Sequence, residues 1–194
     1  MLNLLSFLAE NFDLPVLEWI AANLKCAFLD VVMPVITMLG NGGIFWILVA
    51  VVLICIPKYR KTGLGVGVAL LIGLLVCNVT LKPLIARPRP YDYQLEHFGK
   101  VINLLISAPR DFSFPSGHTL ASFEAATVLL LNDRRLGIPA AVLAVLIAFS
   151  RMYLYVHYPT DVLCAVVLGI AFGFIGNFLV KKAGEIWSRK QEVR

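Results

Sequence analysis

The stretch GLGVGVALLIGLLVCNVTLKPLIA, Gly63 to Ala86, decides the fold. It carries no charged residue from Gly63 to Leu81, and its first charge is Lys82. A helix that crosses a bilayer needs about 20 mostly apolar residues, and this run supplies them. Working outward, Gly42–Pro57, Ser116–Leu131, Leu136–Tyr155 and Thr160–Val180 are apolar runs of similar kind. Trp19–Leu39 is long enough but holds Lys25 and Asp30, so Ala27–Leu39 reads as the core of a first span. It is entered from an amphipathic segment in which Leu14, Val16, Leu17, Trp19 and Ile20 alternate with polar residues, a pattern suited to the headgroup region. The expectation is an all-α polytopic membrane protein: an interfacial segment over 1–24, a six-helix membrane domain over 25–182 and a basic tail over 183–194. Five spans is the fallback. Asn41-Gly42-Gly43 reads as a tight turn between the first two spans.

Composition agrees with this reading. The chain of 194 residues is 59% hydrophobic and 15% charged, with a mean hydropathy of +0.83. Soluble domains average about 45–50% apolar and about 25% charged. A disordered chain, a nucleic-acid module and an ordinary cytosolic enzyme are thereby excluded. The net charge of +5 does not point to nucleic acid, because charged residues are too few to line a phosphate backbone. Cys26, Cys55, Cys77 and Cys164 lie far apart in apolar runs and read as packing residues rather than a zinc or redox set. Met1 to Leu8 lacks a basic flank, so no cleaved signal peptide is expected.

The basic residues divide into two groups. Lys58, Arg60 and Lys61, then Arg134 and Arg135, then Lys181, Lys182, Arg189, Lys190 and Arg194 all follow even-numbered spans. The positive-inside rule puts these clusters, and with six spans both termini, in the cytoplasm. Arg87, Arg89, Arg110 and Arg151 fall on the opposite side, where topology gives them no role. Arg87 reads as a snorkelling side chain; His97 and Arg110 read as solvated loop residues. The 87–115 connection is long and rich in proline and aromatics, and loops of that length are usually functional or disordered.

Three segments meet at the outer side: Lys82 with Arg89, Pro115-Ser116-Gly117-His118, and Ser150-Arg151 with His157 and Asp161. Three cations would repel a metal but hold a tetrahedral oxyanion, with arginine forks suited to phosphate oxygens. Pro115 to His118 opens a helix whose free N–H groups add a second anion grip; Gly117 permits close approach and Ser116 offers a hydroxyl. A neutral imidazole backed by a carboxylate is a competent nucleophile. Asp161 stands four residues beyond His157, and His118 is left as general acid. Asp30 and Glu124, costly in a bilayer, are expected to be paired or functional, with Glu124 too deep to reach the phosphate and near Asn78.

K-x6-R-P, P-S-G-H and S-R-x5-H-x3-D resemble, in order and spacing, the three signature motifs of the type 2 phosphatidic acid phosphatase family, which shares its superfamily with vanadium haloperoxidases. The resemblance implies a six-helix membrane fold, a phosphohistidine at His157, an acid at His118, no metal and no cofactor. It points to a metal-independent lipid phosphatase, similar to small bacterial members acting on undecaprenyl pyrophosphate, phosphatidylglycerophosphate or phosphatidic acid. Undecaprenyl pyrophosphate is the first expectation, because an outward site meets the recycled cell-wall carrier. The expected partners are a lipid phosphate and membrane lipids, with no nucleic acid. A lipid phosphotransferase, a haloperoxidase and an anion transporter are the alternatives. No inverted repeat or broken-helix pair favours the last.

Overall fold

The computed structural model describes residues 2–192, and among these every regular element is helical. The N-terminal helix consists of α1 (Leu2–Leu8), a π turn (Ala9–Asp13) and α2 (Leu14–Asn23), followed by α3 (Ala27–Met38) and α4 (Ile44–Cys55). The long apolar run forms α5 (Arg60–Gly73), a π segment (Leu74–Leu81) and the short α6 (Lys82–Ile85). α7 (Pro90–Phe98) interrupts the long connection, which is therefore partly helical rather than an extended loop. α8 (Gly117–Asn132), α9 (Arg134–Tyr153) and α10 (Pro159–Glu192) complete the bundle.

Local chemistry sets these boundaries. Asp133 caps α9 by accepting the Arg135 N–H at 2.9 Å. Pro159 opens α10, where its missing N–H costs nothing. Gly99, at φ +62°, ends α7 in the left-handed region that glycine tolerates.

The bundle is polar at one end and apolar outside. Trp46, Val66, Val128 and Ile147, from four different helices, share one buried cluster. Val167, Phe174 and Phe178 of α10 and Val142 and Val145 of α9 face outward and are exposed, the surface expected of a protein solvated by lipid. α10 approaches its neighbours closely because it carries glycines at the contacts: a Cβ on Gly169 would meet the Leu120 carbonyl at 2.8 Å, and one on Gly176 the Gly65 carbonyl at 2.8 Å.

Among the described residues the six expected spans are not all found. α5 with its extension, α9 and α10 are each long and apolar enough to cross a membrane. α3 and α4 together form one path bent by 40°, rather than two antiparallel spans. α8, 16 residues from Gly117 to Asn132, is shorter than these and largely buried among them. The correction rests on Asn41-Gly42-Gly43, which forms a single 3-10 turn with Gly42 and Gly43 at φ +57° and +68°. These glycines permit a kink where a reversal was expected. Both ends of α3 meet the last turns of α9: Tyr153 Oη donates to Asp30 Oδ1 at 2.6 Å, and Arg151 Nη1 to Thr37 Oγ1 at 2.6 Å.

The N-terminal segment moves with this change. α2 packs Leu14 and Leu17 against Tyr93, Tyr155 and Tyr158 at the end of the bundle that carries the motifs. It does not share an end with the C-terminal half of α10, as an even span count required. The basic clusters gather at the opposite end, where Tyr59 Oη donates to Asp133 and Lys61 lies beside Gly184. α10 runs on through residues 183–192 without a break; Arg194 of the expected tail lies outside the described residues.

Candidate functional site

The π segment Leu74–Leu81 widens the helix just before Lys82, a distortion common near functional sites. It delivers Lys82 to the polar end of the bundle. Ala86, at φ +47°, then turns the chain so that Arg87 and Arg89 both point inward, 2% and 3% exposed. The last turn of α9 contributes Arg151, and the tight loop before α10 holds His157 by its backbone N–H to the Arg151 carbonyl at 3.3 Å. Two segments distant in sequence are thus brought together, each shaped by short local constraints.

His157 is 1% exposed and its two nitrogens face different partners. Nε2 lies 3.4 Å from Arg89 Nη1. Nδ1 lies 3.5 Å from Asp161 Oδ2 and 3.4 Å from Ser113 Oγ. Ser113 donates to Asp161 Oδ2 at 2.5 Å, and the Tyr158 N–H donates to the same oxygen at 3.1 Å. Burial, then the charges of Arg89 and Arg151, push the His157 imidazole well below its ordinary range. The ring is neutral, and Nε2 is the nitrogen that faces the cations.

The cations are held firmly. Arg89 donates from Nη1 to the Val156 carbonyl at 2.6 Å and from Nε to the Asp111 carbonyl at 2.7 Å. Arg151 Nε is buried with no hydrogen-bond partner among the described residues. Asp111 bridges the other two cations: Oδ2 meets Lys82 Nζ at 2.5 Å and Oδ1 meets Arg89 Nη2 at 2.6 Å. Partial burial favours the neutral acid, but the Lys82 and Arg89 contacts outweigh it and hold the Asp111 carboxyl below the usual carboxylate range.

His118 stands in the first turn of α8, with Nε2 2.8 Å from Asn41 Oδ1. Gly40 lies against the ring so closely that a Cβ there would clash with it. Lys82, Arg89, Gly117, His118, Arg151 and His157 all line one cavity of about 1010 Å³. Beyond these polar groups the cavity runs between α4 and α5, walled by Ile47, Val51, Ile54, Leu70, Leu71 and Leu74. Asp161 stands behind His157. Ser116 is buried and its hydroxyl pairs with Thr119 Oγ1 at 3.1 Å, so it braces the helix start instead of lining the cavity.

Arg87 departs from its sequence reading. It does not snorkel: Nη2 meets Asp13 Oδ2 at 2.7 Å and Nη1 meets Asp161 Oδ1 at 2.5 Å. Its guanidinium lies 3.7 Å from the centre of the Tyr158 ring. Asn41, Asp111, Ser113 and Asp13 do not stand out in the sequence. For Asp111 and Ser113 a signal existed: both lie close before His118, in the approach to the P-S-G-H motif. Asp13 and Asn41 gave none, because their role depends on how the N-terminal third folds back. Asp30 is paired, with Tyr153. Glu124 is 1% exposed, borders the cavity and leaves Oε1 without a partner among the described residues; Asn78 Oδ1 is likewise unpaired.

The fold and site define an all-helical, membrane-type bundle with a cationic, histidine-bearing pocket that opens onto an apolar groove. The chain belongs to the PAP2 superfamily, whose family model matches residues 62–184. It is similar to an undecaprenyl-diphosphatase of Sulfolobus acidocaldarius, 31% identical over 77% of this chain and 69% of that protein. It is similar also to phosphatidylglycerophosphatase B of Bacillus subtilis, 34% identical over 83% of this chain and 78% of that one. Among solved structures, LpxE of Aquifex aeolicus superposes with a TM-score of 0.71 at 28% identity, covering 84% of this chain and 93% of its own.

Proposed function

We propose that this protein is an integral membrane lipid phosphatase that removes a phosphate or pyrophosphate group from a long-chain lipid, undecaprenyl pyrophosphate first among its substrates. The observation that carries this reading is the shape of the cavity: His157 Nε2 beside Arg89 at its polar end, and an apolar groove between α4 and α5 continuing from it. A soluble phosphoester has no use for that groove, whereas a prenyl or acyl chain fills it.

In the proposed reaction Asp111 swings away and the phosphoryl oxygens take its place on Lys82 and Arg89, joined by Arg151 through its free Nε. His157 Nε2 attacks phosphorus, and the Nδ1 proton stays toward Asp161 and Ser113. The bond from phosphorus to the lipid-side oxygen breaks, and His118 gives that oxygen its proton. Water then attacks the phosphohistidine, His118 takes the water's proton, and inorganic phosphate leaves. Charge on the transferring group rests on the three cations and the α8 amides, usually the largest contribution to such a step. Positive charge is supplied by side chains, so the reaction runs without a metal.

The basic end of the bundle, with Lys58, Arg134 and Lys182, faces the cytoplasm of the cell membrane by the positive-inside rule. The site then opens on the extracytoplasmic face, and the N-terminal helix lies at that face. Trp19 and Phe12, exposed on it, suit the interfacial layer.

The test is phosphate release by the detergent-purified protein from undecaprenyl pyrophosphate, phosphatidylglycerophosphate, phosphatidic acid and a soluble aryl phosphate. Release from the lipids, greatest with the pyrophosphate and absent in His157→Ala, is expected. No release from any lipid, or undiminished release by His157→Ala, ends the proposal.

A further inference from the structure

Asp13 is a fully enclosed carboxylate that the reaction above leaves unused. It sits at the end of the π turn Ala9–Asp13 and is 0% exposed. Its oxygens accept three hydrogen bonds: from Arg87 Nη2 at 2.7 Å, from the Thr160 N–H at 2.9 Å and from Thr160 Oγ1 at 2.7 Å. A buried charge is expensive unless it is paired and fully hydrogen-bonded. Asp13 meets that condition, so its pairing with Arg87 is a fixed part of the fold.

The partner it engages leads to His157. Arg87 turns its other amine to Asp161 Oδ1 at 2.5 Å and to Thr160 Oγ1 at 2.8 Å, while Tyr158 covers its face. Asp161 keeps its second oxygen for Ser113 and His157 Nδ1. One guanidinium is thus divided between two carboxylates. A planar arginine fork pairs readily with both oxygens of a single carboxylate. Freed from Asp13, Arg87 can close on Asp161 with both amines, drawing Oδ2 off His157 and quenching the negative charge that supports the ring during phosphoryl transfer.

We propose that Asp13 is a positioning residue for His157, acting through Arg87 and Asp161. The inference rests on the phosphatase reading for its kinetic consequences but not for its geometry. It also gives the N-terminal helix a task. The family match begins at residue 62, yet this carboxylate from well before it completes the rear of the site. Removing the outer partner that orients a metal-ligating histidine typically costs about 10- to 100-fold in activity, and a loss of the same order is expected where the oriented imidazole is a nucleophile.

The experiment compares Asp13→Asn, Asp13→Glu and Tyr93→Phe in the full-length protein. Tyr93 Oη donates to Glu10 Oε1 at 2.7 Å, so its loss loosens the same helix without touching Asp13. Asp13→Asn should lower kcat about 10- to 100-fold with KM within about twofold. Asp13→Glu, which keeps the charge, should recover most of that loss, and Tyr93→Phe should leave kcat within about twofold. Equal losses in Asp13→Asn and Tyr93→Phe, a loss in Asp13→Glu as deep as in Asp13→Asn, or an unchanged kcat in Asp13→Asn would overturn the proposal. The chain has only 3 histidines, so ¹⁵N-histidine spectra offer a second readout that needs no turnover. The His157 ring-nitrogen shifts should change in Asp13→Asn and not in Tyr93→Phe. An inactive wild-type protein whose His157 shifts follow this pattern would sink the phosphatase reading and leave the positioning role standing. Unmoved His157 shifts would sink the role itself. Should Asp13→Asn not fold, Asp13→Glu carries the test: its His157 shifts should stay near those of wild type, and a large change refutes the role.

Discussion

Replacing Asp111 with asparagine removes the negative charge that lies between Lys82 and Arg89 and should tighten the binding of phosphate. The carboxylate holds Lys82 at 2.5 Å and Arg89 at 2.6 Å, yet its own side chain is 55% exposed. Water reaches it, so each pair is worth about 0.2–1 kcal/mol, the range for exposed ion pairs. Two such pairs give about 0.4–2 kcal/mol, which is roughly a 2- to 30-fold change in affinity. A phosphate entering the wild-type site must displace this carboxylate; in the variant it meets two cations with no carboxylate charge between them. The assay is competitive inhibition of lipid turnover by inorganic phosphate, with orthovanadate as a second inhibitor. The inhibition constant for both should fall by that factor, and kcat should fall if product leaves more slowly. An inhibition constant that is unchanged or higher would show that Asp111 helps to present the cations, and displacement would not be what phosphate binding requires.

Other perturbations follow from the same geometry. Arg87→Ala strands Asp13 and Asp161 as buried, unpaired carboxylates, and should cost about 3–5 kcal/mol of stability, read as a lower unfolding midpoint in detergent. His157 is held neutral by burial, so its folded pKa lies below its unfolded value of about 6.5. Its contribution is therefore fully present above about pH 6.5 and lost as pH falls below that, because the unfolded chain takes up the proton first. The unfolding midpoint should drop over that window in the wild type and drop less in His157→Phe. Glu124→Gln should retain turnover within about threefold, since the carboxyl packs on Gly73 about two turns below His118, roughly 9 Å at 1.5 Å per residue. Lost turnover with normal folding would give Glu124 a part in the chemistry.

The grouping of the candidate site residues was more legible in the sequence than the path of the chain. Lys82, Arg89, His118, Arg151, His157 and Asp161 were readable because cations and imidazoles gather at the outer ends of apolar runs, where topology gives basic residues no role. The structure brings all six to one place, with Asp161 behind His157 as expected. Ser116 illustrates a limit: a hydroxyl at a helix start serves the site or the helix, and here it bonds to Thr119. Hydropathy marks apolar runs but carries no direction. Asn41-Gly42-Gly43 therefore read as a reversal, whereas α3 and α4 bend there by 40°, and the N-terminal segment packs at the motif end instead of the basic one. The ion pairs of Arg87 were hidden for a similar reason. Asp13 and Asp161 are distant in sequence, and only the return of the N-terminal helix to the motif end shows that the arginine is enclosed.

The central claim is that His157 carries the phosphoryl group. It is tested most directly by mixing purified protein with substrate labelled in the transferred phosphoryl group, quenching within one turnover under alkaline denaturing conditions, and mapping the modified peptide by mass spectrometry. Label on His157, absent in His157→Ala, is the predicted result. Turnover of the lipid with no labelled protein, or with label on another residue, would contradict it.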